Sequence, residues 1–266
     1  MQVAPAICIV AAHRFSGKTA LTSSLIKALK SMGYCVASAK HIHGSIDVED
    51  KDTRIHGEAG ARFTIAVSDE GLATFEWGRK ASIEEISIGL LERGFKGLII
   101  CEGFKHSTLP KIAIISGEED EKLVESLDNI VALVADQKLL AKLKQKYVGI
   151  PIFSFNNYEE IALFAKNIVA EKLLERMPKA NCRRCGYESC QDLVESFLKG
   201  KASLKNCKLL QLRQAELEVN GVKIPLSQYP QQVFADVVSS LVKSLKGIPE
   251  EVQEINLKIK LSSAPR

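Results

Sequence analysis

Largely apolar runs alternate with amphipathic stretches along most of the chain. Such runs are typical of strands buried on both faces of a parallel sheet. They occupy residues 7–11, 34–39, 98–101, 111–115, 130–135 and 151–154. The intervening stretches predict helices, notably over 20–30, 83–93, 138–147 and 158–177. This alternation predicts an α/β fold, with a mostly parallel sheet and helices on both faces.

Two other segments predict antiparallel hairpins. Residues 63–68 and 72–77 flank Asp69-Glu70-Gly71, and residues 217–219 and 222–226 flank Asn220-Gly221, a favoured two-residue turn. After the second hairpin, residues 231–245 predict an amphipathic helix. Residues 253–261 then alternate apolar and polar side chains, as a strand does. This part of the chain therefore predicts a small ββαβ unit.

The first strand leads into a phosphate-binding motif. Residues 12–19 match G-x-x-x-x-G-K-[ST] at every position except the first, where alanine replaces glycine. In such a loop, successive backbone N–H groups and the helix N-terminus bind phosphate oxygens. Lys18 would contact the β- and γ-phosphates, and the Thr19 hydroxyl would bind Mg²⁺. We expect the nucleotide to contact His13, Arg14, Phe15, Ser16, Gly17, Lys18 and Thr19.

Ala12 is the departure from the motif. Glycine opens the tight turn in such loops, and alanine fits only if φ stays negative there. We therefore expect nucleotide binding to be retained, and efficient hydrolysis to be less secure.

Polar residues stand where predicted strands end, which is where ligands bind in open α/β sheets. Glu102 would hold Mg²⁺ through water or orient an attacking water. Lys40 would contact the nucleotide, and Asp47 is a second metal candidate. Asp136 could accept hydrogen bonds from guanine N1 and N2, or could instead cap the following helix.

The sequence allows two interpretations for each of three further residues. His41 and His43 either contact phosphate or a partner, or belong to a plain surface loop. Lys111 could reach a bound substrate, but we expect a solvated lysine at the end of a strand.

Composition places the chain among ordinary globular proteins. The content of 46% hydrophobic and 26% charged residues is close to the usual balance. A length of 266 residues suggests one large domain with one or two small ones. No apolar run is long enough to span a bilayer, and no stretch resembles a signal peptide. We expect a cytoplasmic protein that does not insert into membranes.

Four of the seven cysteines crowd into one segment. Cys182, Cys185, Cys190 and Cys207 have the spacing C-x2-C-x4-C-x16-C, which in a cytoplasmic chain favours a metal over disulfides. Structural zinc sites usually come as two close pairs of ligands. Three clustered cysteines and a remote one are more typical of a cubane iron–sulfur site. We expect a [4Fe–4S] cluster, with zinc as the alternative.

The same segment is basic. Residues 178–213 carry eight Lys or Arg against three acidic residues, within a chain of net charge +4. A basic segment usually suggests nucleic acid. Four thiolates would leave the cluster anionic, however, so Arg183, Arg184 and nearby lysines are explained as charge compensation. We therefore expect no nucleic-acid partner.

Three blocks of the first 170 residues or so together resemble the molybdopterin-guanine dinucleotide biosynthesis protein B family. They are Arg14-Phe15-Ser16-Gly17-Lys18-Thr19, then Lys40-His41-Ile42-His43-Gly44 with Asp52-Thr53 and residues 56–61, and then Cys101-Glu102-Gly103-Phe104-Lys105 with Pro110-Lys111. Likewise, residues 178–207 resemble the small four-cysteine [4Fe–4S] domain found appended to many redox proteins. We predict three domains, 1–177, 178–213 and 214–266.

The first resemblance implies a GTP-binding phosphate-loop protein that assists attachment of a guanine nucleotide to molybdopterin. Proteins of this kind are usually dimers that work beside the molybdenum cofactor guanylyltransferase, and their own GTPase activity is weak. The resemblance therefore implies GTP and Mg²⁺ as ligands, and a role in molybdenum or tungsten cofactor biosynthesis.

The cysteine segment supports two other hypotheses. The chain could be a nucleotide-gated iron–sulfur electron-transfer or cluster-carrier protein, in which the phosphate loop drives docking to a redox partner. It could also carry a structural zinc module that mediates assembly.

Overall fold

The computed structural model describes residues 4–13, 15–42, 44–46, 52–210, 215–224, 226, 228–249, 252 and 254–259. They fall into two compact units, residues 1–206 and 207–266. Within the described part of the chain, no helix has the length and apolarity needed to cross a membrane.

The strands of the first unit are β1 (Ala6–Val10), β2 (Val36–Lys40), β3 (Phe63–Ser68), β4 (Gly71–Glu76), β5 (Leu98–Glu102), β6 (Lys111–Ile115), β7 (Ile130–Ala135) and β8 (Ile152–Ser154). Its helices are α1 (Lys18–Ser31), α2 (Asp52–Glu58), α3 (Ile83–Glu92), α4 (Glu118–Ser126), α5 (Gln137–Lys146), α6 (Tyr158–Glu175) and α7 (Cys190–Leu198), followed by a 3₁₀ turn at Leu204–Asn206.

Six strands form one parallel sheet in the order β2-β5-β1-β6-β7-β8. The central strands β1, β5 and β6 are buried along their whole length. The predicted parallel sheet is therefore confirmed. β3 and β4 form the predicted hairpin as a separate antiparallel pair.

Helices cover both faces of the sheet. Ala6, Cys8 and Val10 of β1 belong to a core cluster that includes residues of α3, α4 and α5. Successive residues of a strand point to opposite faces, so Ile7 and Ile9 face the other layer. There α1 packs against β1, β5 and α6. α4 was not predicted, because its sequence is almost entirely polar and has no apolar period.

The second unit is small. β9 (Leu217–Val219) and β10 (Val222–Ile224) form the predicted hairpin, and α8 (Gln228–Lys243) follows. The strand predicted at 253–261 is wrong for residues 254–259, which the structure describes without regular secondary structure. Leu257 and Ile259 are exposed, so the alternating apolar face has no surface against which to be buried.

Candidate functional site

The carboxyl ends of β5 and β2 meet the start of α1 at one polar cluster. The Thr19 hydroxyl donates to the Glu102 carboxylate, at 2.9 Å from Oε1 and 3.0 Å from Oε2. Lys40 Nζ lies 3.1 Å from Glu102 Oε1. β2 and β5 pair in register at Lys40 and Glu102, which explains why these two side chains meet. Two hard oxygen groups, a hydroxyl and a carboxylate, thus stand side by side at the phosphate loop.

Lys18 folds back over the loop. Its Nζ donates to the His13 carbonyl and to Ser16 Oγ, the latter at 2.8 Å. Burial lowers the pKa of Lys18 from its ordinary value, and the positive charge of Lys105 adds to the effect. The His13 carbonyl and the Ser16 hydroxyl are both neutral. A charged phosphate group would bind the ammonium of Lys18 more strongly than they do.

The backbone of the loop explains its residue types. Gly17, directly before α1, has φ 82°, and a Cβ there would lie 2.8 Å from Cζ of Phe155. The backbone conformation therefore requires glycine, and a Cβ would in addition force the Phe155 ring to shift. Ala12 is not among the residues with left-handed φ, so the condition for alanine at that position is met. Phe15 has φ 62° and is fully exposed.

Asp120 on α4 anchors the first residue of the loop, and the sequence analysis missed it. Its buried carboxylate accepts from the Ala12 N–H at 2.7 Å and from the Ser116 N–H and hydroxyl at 3.0 and 2.7 Å. Burial alone would raise the pKa of Asp120, but these hydrogen bonds lower it below its ordinary value. The acidic run at 118–121, typical of a helix first turn, was the available signal.

A cavity of about 1070 Å³ opens beside the loop. It is bordered by the loop itself, by Lys40–Ile42, by Ser82–Glu84 at the start of α3, and by residues 102–107 after β5. Lys105 Nζ donates to the Ala12 carbonyl at 3.0 Å, and the Phe104 and His41 rings lie 5.4 Å apart. His13 also borders the cavity, and its Nε2 lies 3.3 Å from Glu119 Oε2.

Asp136 and Lys111 occupy different surroundings from this cluster. Asp136 is exposed at the end of β7 and stands at the N-cap of α5, although its side chain accepts no capping hydrogen bond. The expectation that Lys111 is solvated is wrong: the residue is 1% exposed. Its Nζ donates to the carbonyls of Ser107, Leu109 and Asp128, which compensate for its burial.

Three predicted residues, Arg14, His43 and Asp47, lie outside the described residues.

The loop before α7 and the first residue of that helix carry three of the four cysteines. Cys182 is exposed, and Cys185 and Cys190 are partly buried. Lys179, Asn181 and Arg183 all have left-handed φ, and such alternation turns backbone N–H groups toward a concave side that suits an anion. Cys190 is the first residue of α7, whose N-cap is Ser189.

The chemistry of the cysteine side chains in this segment fits an iron–sulfur cluster. Among the residues that the structure describes, however, no three His, Cys, Asp or Glu side chains are arranged to hold a metal ion. Cys207 is in the second unit, so joint ligation by all four cysteines remains a prediction.

α7 is fixed to the nucleotide-binding part of the first unit. The Tyr34 hydroxyl donates to Glu195 Oε1 at 2.6 Å, and Lys166 Nζ lies 3.4 Å from Glu195 Oε2. The Cys35 N–H donates to the Leu198 carbonyl at 2.9 Å. Tyr34 and Cys35 lie in the connection between α1 and β2, so α7 contacts the segment that follows the helix beginning at the phosphate loop.

Two family models match the chain. Residues 6–136 match the model described as "Molybdopterin guanine dinucleotide synthesis protein B", and residues 177–209 match the model described as "Putative Fe-S cluster". The second match covers all four cysteines of the predicted cluster site.

Relatives agree with the first model. The chain is 30% identical over 155 residues to the molybdopterin-guanine dinucleotide biosynthesis adapter protein of Haemophilus influenzae, covering 57% of this chain and 83% of the relative. It is 29% identical over 163 residues to the adapter protein of Escherichia coli, covering 58% and 87%. A solved structure of a MobB protein homolog from Bacillus stearothermophilus aligns with 63% of this chain and 99% of its own, at 22% identity and a TM-score of 0.47.

The resemblance inferred from the three sequence blocks is thereby confirmed. The chain belongs to the molybdopterin guanine dinucleotide synthesis protein B family.

Proposed function

We propose that this protein is a GTP-binding accessory protein that assists formation of molybdopterin guanine dinucleotide, in molybdenum or tungsten cofactor biosynthesis. The observation that carries the proposal is the Thr19–Glu102 pair beside Lys18, in a chain whose relatives are named as adapter proteins of this pathway. A Mg²⁺–triphosphate requires a hydroxyl and a carboxylate beside the metal and an ammonium beside the phosphates.

The phosphates would bind the backbone N–H groups of residues 13–19 and the start of α1. Gly17 lets the backbone approach closely, and Lys18 would exchange its neutral partners for phosphate oxygens. Thr19 and Glu102 would hold Mg²⁺, directly or through water, because this ion prefers one or two carboxylates together with phosphates and waters. Arg14 and Asp47 remain candidates for phosphate and metal contact from the sequence alone.

Lys40 and Asp136 would complete the nucleotide site from two sides. Lys40 forms an ion pair with Glu102, and it would contact phosphate when Glu102 serves as a metal ligand. Asp136 is exposed at the carboxyl end of β7, with its side chain uncommitted to a helix cap, which suits recognition of guanine N1 and N2. The protein would be at most a weak GTPase, in which Glu102 orients the attacking water.

The cysteine segment would hold a [4Fe–4S] cluster through Cys182, Cys185, Cys190 and Cys207. Thiolates are the ligands such clusters require, and Lys179, Arg183 and Arg184 would compensate the negative charge. When bound, the cluster would supply one-electron redox chemistry.

Two partners follow from this role: a molybdenum cofactor guanylyltransferase and a second copy of this chain. The β3–β4 hairpin supports a homodimer, because Phe63, Ile65 and Val67 share one face and are 52%, 61% and 78% exposed. A row of exposed apolar side chains on an isolated hairpin favours pairing with another surface. Ile65→Lys would then convert a dimer to a monomer in sedimentation experiments.

A second candidate function is favoured by the exposed position of Cys182. A cluster near the surface suits electron transfer or delivery to another protein, which guanine attachment does not need. Anaerobic preparation followed by iron and zinc analysis separates this candidate from a structural zinc module. A cluster that neither reduces reversibly nor transfers to an apo-protein would exclude it.

The test of the proposed function is a reconstituted guanylyl transfer. A guanylyltransferase is assayed with molybdopterin and limiting GTP, with this protein or with its Lys18→Ala variant. We expect the wild type to increase formation of the dinucleotide and the variant to have no effect. Equal rates with and without the wild-type protein would contradict the proposal.

A further inference from the structure

Lys105 places a second ammonium group beside the phosphate loop. It lies three residues beyond the end of β5, after Gly103 and Phe104, which have φ of 92° and 57°. A left-handed φ is uncommon for phenylalanine. These two residues turn the chain so that Lys105 Nζ reaches back to the Ala12 carbonyl, 3.0 Å away.

The charge of Lys105 is not balanced by an acid in the described ranges, where its hydrogen bond goes to a neutral carbonyl and it forms no ion pair. Within the described ranges Lys18 likewise donates to His13 and Ser16 and forms no ion pair, whereas Lys40 is paired with Glu102. Lys105 is also the main charge, after burial, that lowers the pKa of Lys18. Two ammonium groups with neutral partners therefore border one cavity and attract anions into it.

The position of Lys105 indicates which part of the nucleotide it would meet. Thr19 and Glu102 are the residues that would hold the magnesium ion of a nucleoside triphosphate. Lys105 follows Glu102 closely and borders the same cavity. Asp136, the candidate for base recognition, follows β7 and is not among the residues that border this cavity. Lys105 thus borders the same cavity as the two residues that would hold the metal, which favours contact with the phosphates over contact with the base.

We infer that Lys105 is a second phosphate-binding lysine that leaves the Ala12 carbonyl to bind the terminal phosphate of a nucleoside triphosphate. Lys105 thereby distinguishes the triphosphate from the diphosphate. Its hydrogen bond to the Ala12 carbonyl is present with the diphosphate and absent with the triphosphate. This inference rests on the proposed function, since it requires a nucleotide at the loop.

The test is calorimetry with Mg²⁺ and either GDP or a non-hydrolysable GTP analogue, on wild type, Lys105→Met, Lys105→Arg and the surface control Lys138→Met. We expect Lys105→Met to weaken binding of the analogue roughly 10- to 100-fold, as loss of a charge-assisted hydrogen bond does. Binding of GDP should change less than about threefold, because the bond to the terminal phosphate is absent there. Lys105→Arg should restore most of the preference, and Lys138→Met should match the wild type.

The ratio of the two affinities decides the outcome. Both ligands are titrated into the same preparation, so partial unfolding of a variant lowers both signals and leaves the ratio unchanged. An unchanged ratio in Lys105→Met means that Lys105 only braces Ala12, and it overturns the inference while the proposed function stands. Wild-type protein that binds neither ligand overturns both.

Discussion

The Thr19 hydroxyl donates to the carboxylate of Glu102, a residue 83 positions away along the chain, at 2.9 Å. The pair joins the first turn of α1 to the end of β5, and Lys40 pairs with the same carboxylate. This arrangement places the carboxylate of Glu102 beside the phosphate loop, where we propose that it binds the magnesium of a nucleotide.

Removing the charge of Glu102 should remove the dependence of nucleotide binding on Mg²⁺. Wild type should bind GTP more tightly with Mg²⁺, and Glu102→Gln should lose roughly tenfold in that magnesium-dependent affinity. Binding without Mg²⁺ should persist, because Lys40 is then released from its ion pair. Calorimetry with and without the metal measures this, with Glu171→Gln, at an exposed residue of α6, as control. Retained magnesium dependence in Glu102→Gln would contradict the assignment.

Nucleotide affinity should fall at alkaline pH earlier than an ordinary lysine would allow. Burial lowers the pKa of Lys18, and only its ammonium form binds phosphate. A bound phosphate favours that form, so binding takes up a proton near the lowered pKa, and affinity decreases as pH rises through it.

The matched variant for this pH dependence is Lys18→Arg, whose guanidinium stays charged. Its affinity is measured over the same range from neutral to alkaline pH, and it should lack the decline. A decline of equal size in both proteins would assign the effect to another group.

Asp120 should stabilise the protein through the phosphate loop. Asp120→Asn removes a charged acceptor of three hydrogen bonds, which should lower the free energy of unfolding by about 1–3 kcal/mol at neutral pH. Because the pKa of Asp120 is lowered in the folded state, its stabilisation is complete above the ordinary value of 3.8 and is lost as pH falls through the folded-state pKa.

Urea unfolding of wild type and Asp120→Asn at neutral and acid pH tests this expectation, with the exposed Asp69→Asn as control. The difference between wild type and variant should shrink toward acid pH. A difference independent of pH would show that the carboxylate charge is not responsible.

The contact between Tyr34 and Glu195 should hold the cysteine segment against the nucleotide-binding part of the first unit. Burial raises the pKa of Tyr34, and the hydrogen bond to Glu195 adds to this effect. Tyr34→Phe should lower the free energy of unfolding by about 1–2 kcal/mol, the effect of a hydrogen bond to a charged group. Hydrogen exchange of α7 should increase in the same variant. Tyr229→Phe, at an exposed tyrosine, is the control, and equal exchange in the two variants would contradict the contact.

The local sequence pattern was sufficient to predict much of this structure. The phosphate loop and the β3–β4 hairpin depend on residues close in the chain, and the parallel sheet follows from the alternation of apolar runs and helices. The position of Glu102 beside Thr19 was also accessible, because polar residues after parallel strands gather at one edge of the sheet.

Other features depend on contacts that sequence spacing does not reveal. Asp120 meets Ala12 across 108 positions, and it lies on a helix without an apolar period. Lysine is usually solvated, and Lys111 is buried only because three backbone carbonyls converge on its ammonium. The last predicted strand failed at 254–259, since alternation forms a strand only where a neighbouring strand and a buried face exist.

The most direct test of the central claim is nucleotide affinity, measured by calorimetry on anaerobically purified protein. GTP and ATP are compared with and without Mg²⁺, beside Lys18→Ala. A preference for GTP that is lost in Lys18→Ala is the predicted result. A preference for ATP, or binding that Lys18→Ala leaves unchanged, would contradict the claim that this protein binds GTP to assist formation of molybdopterin guanine dinucleotide.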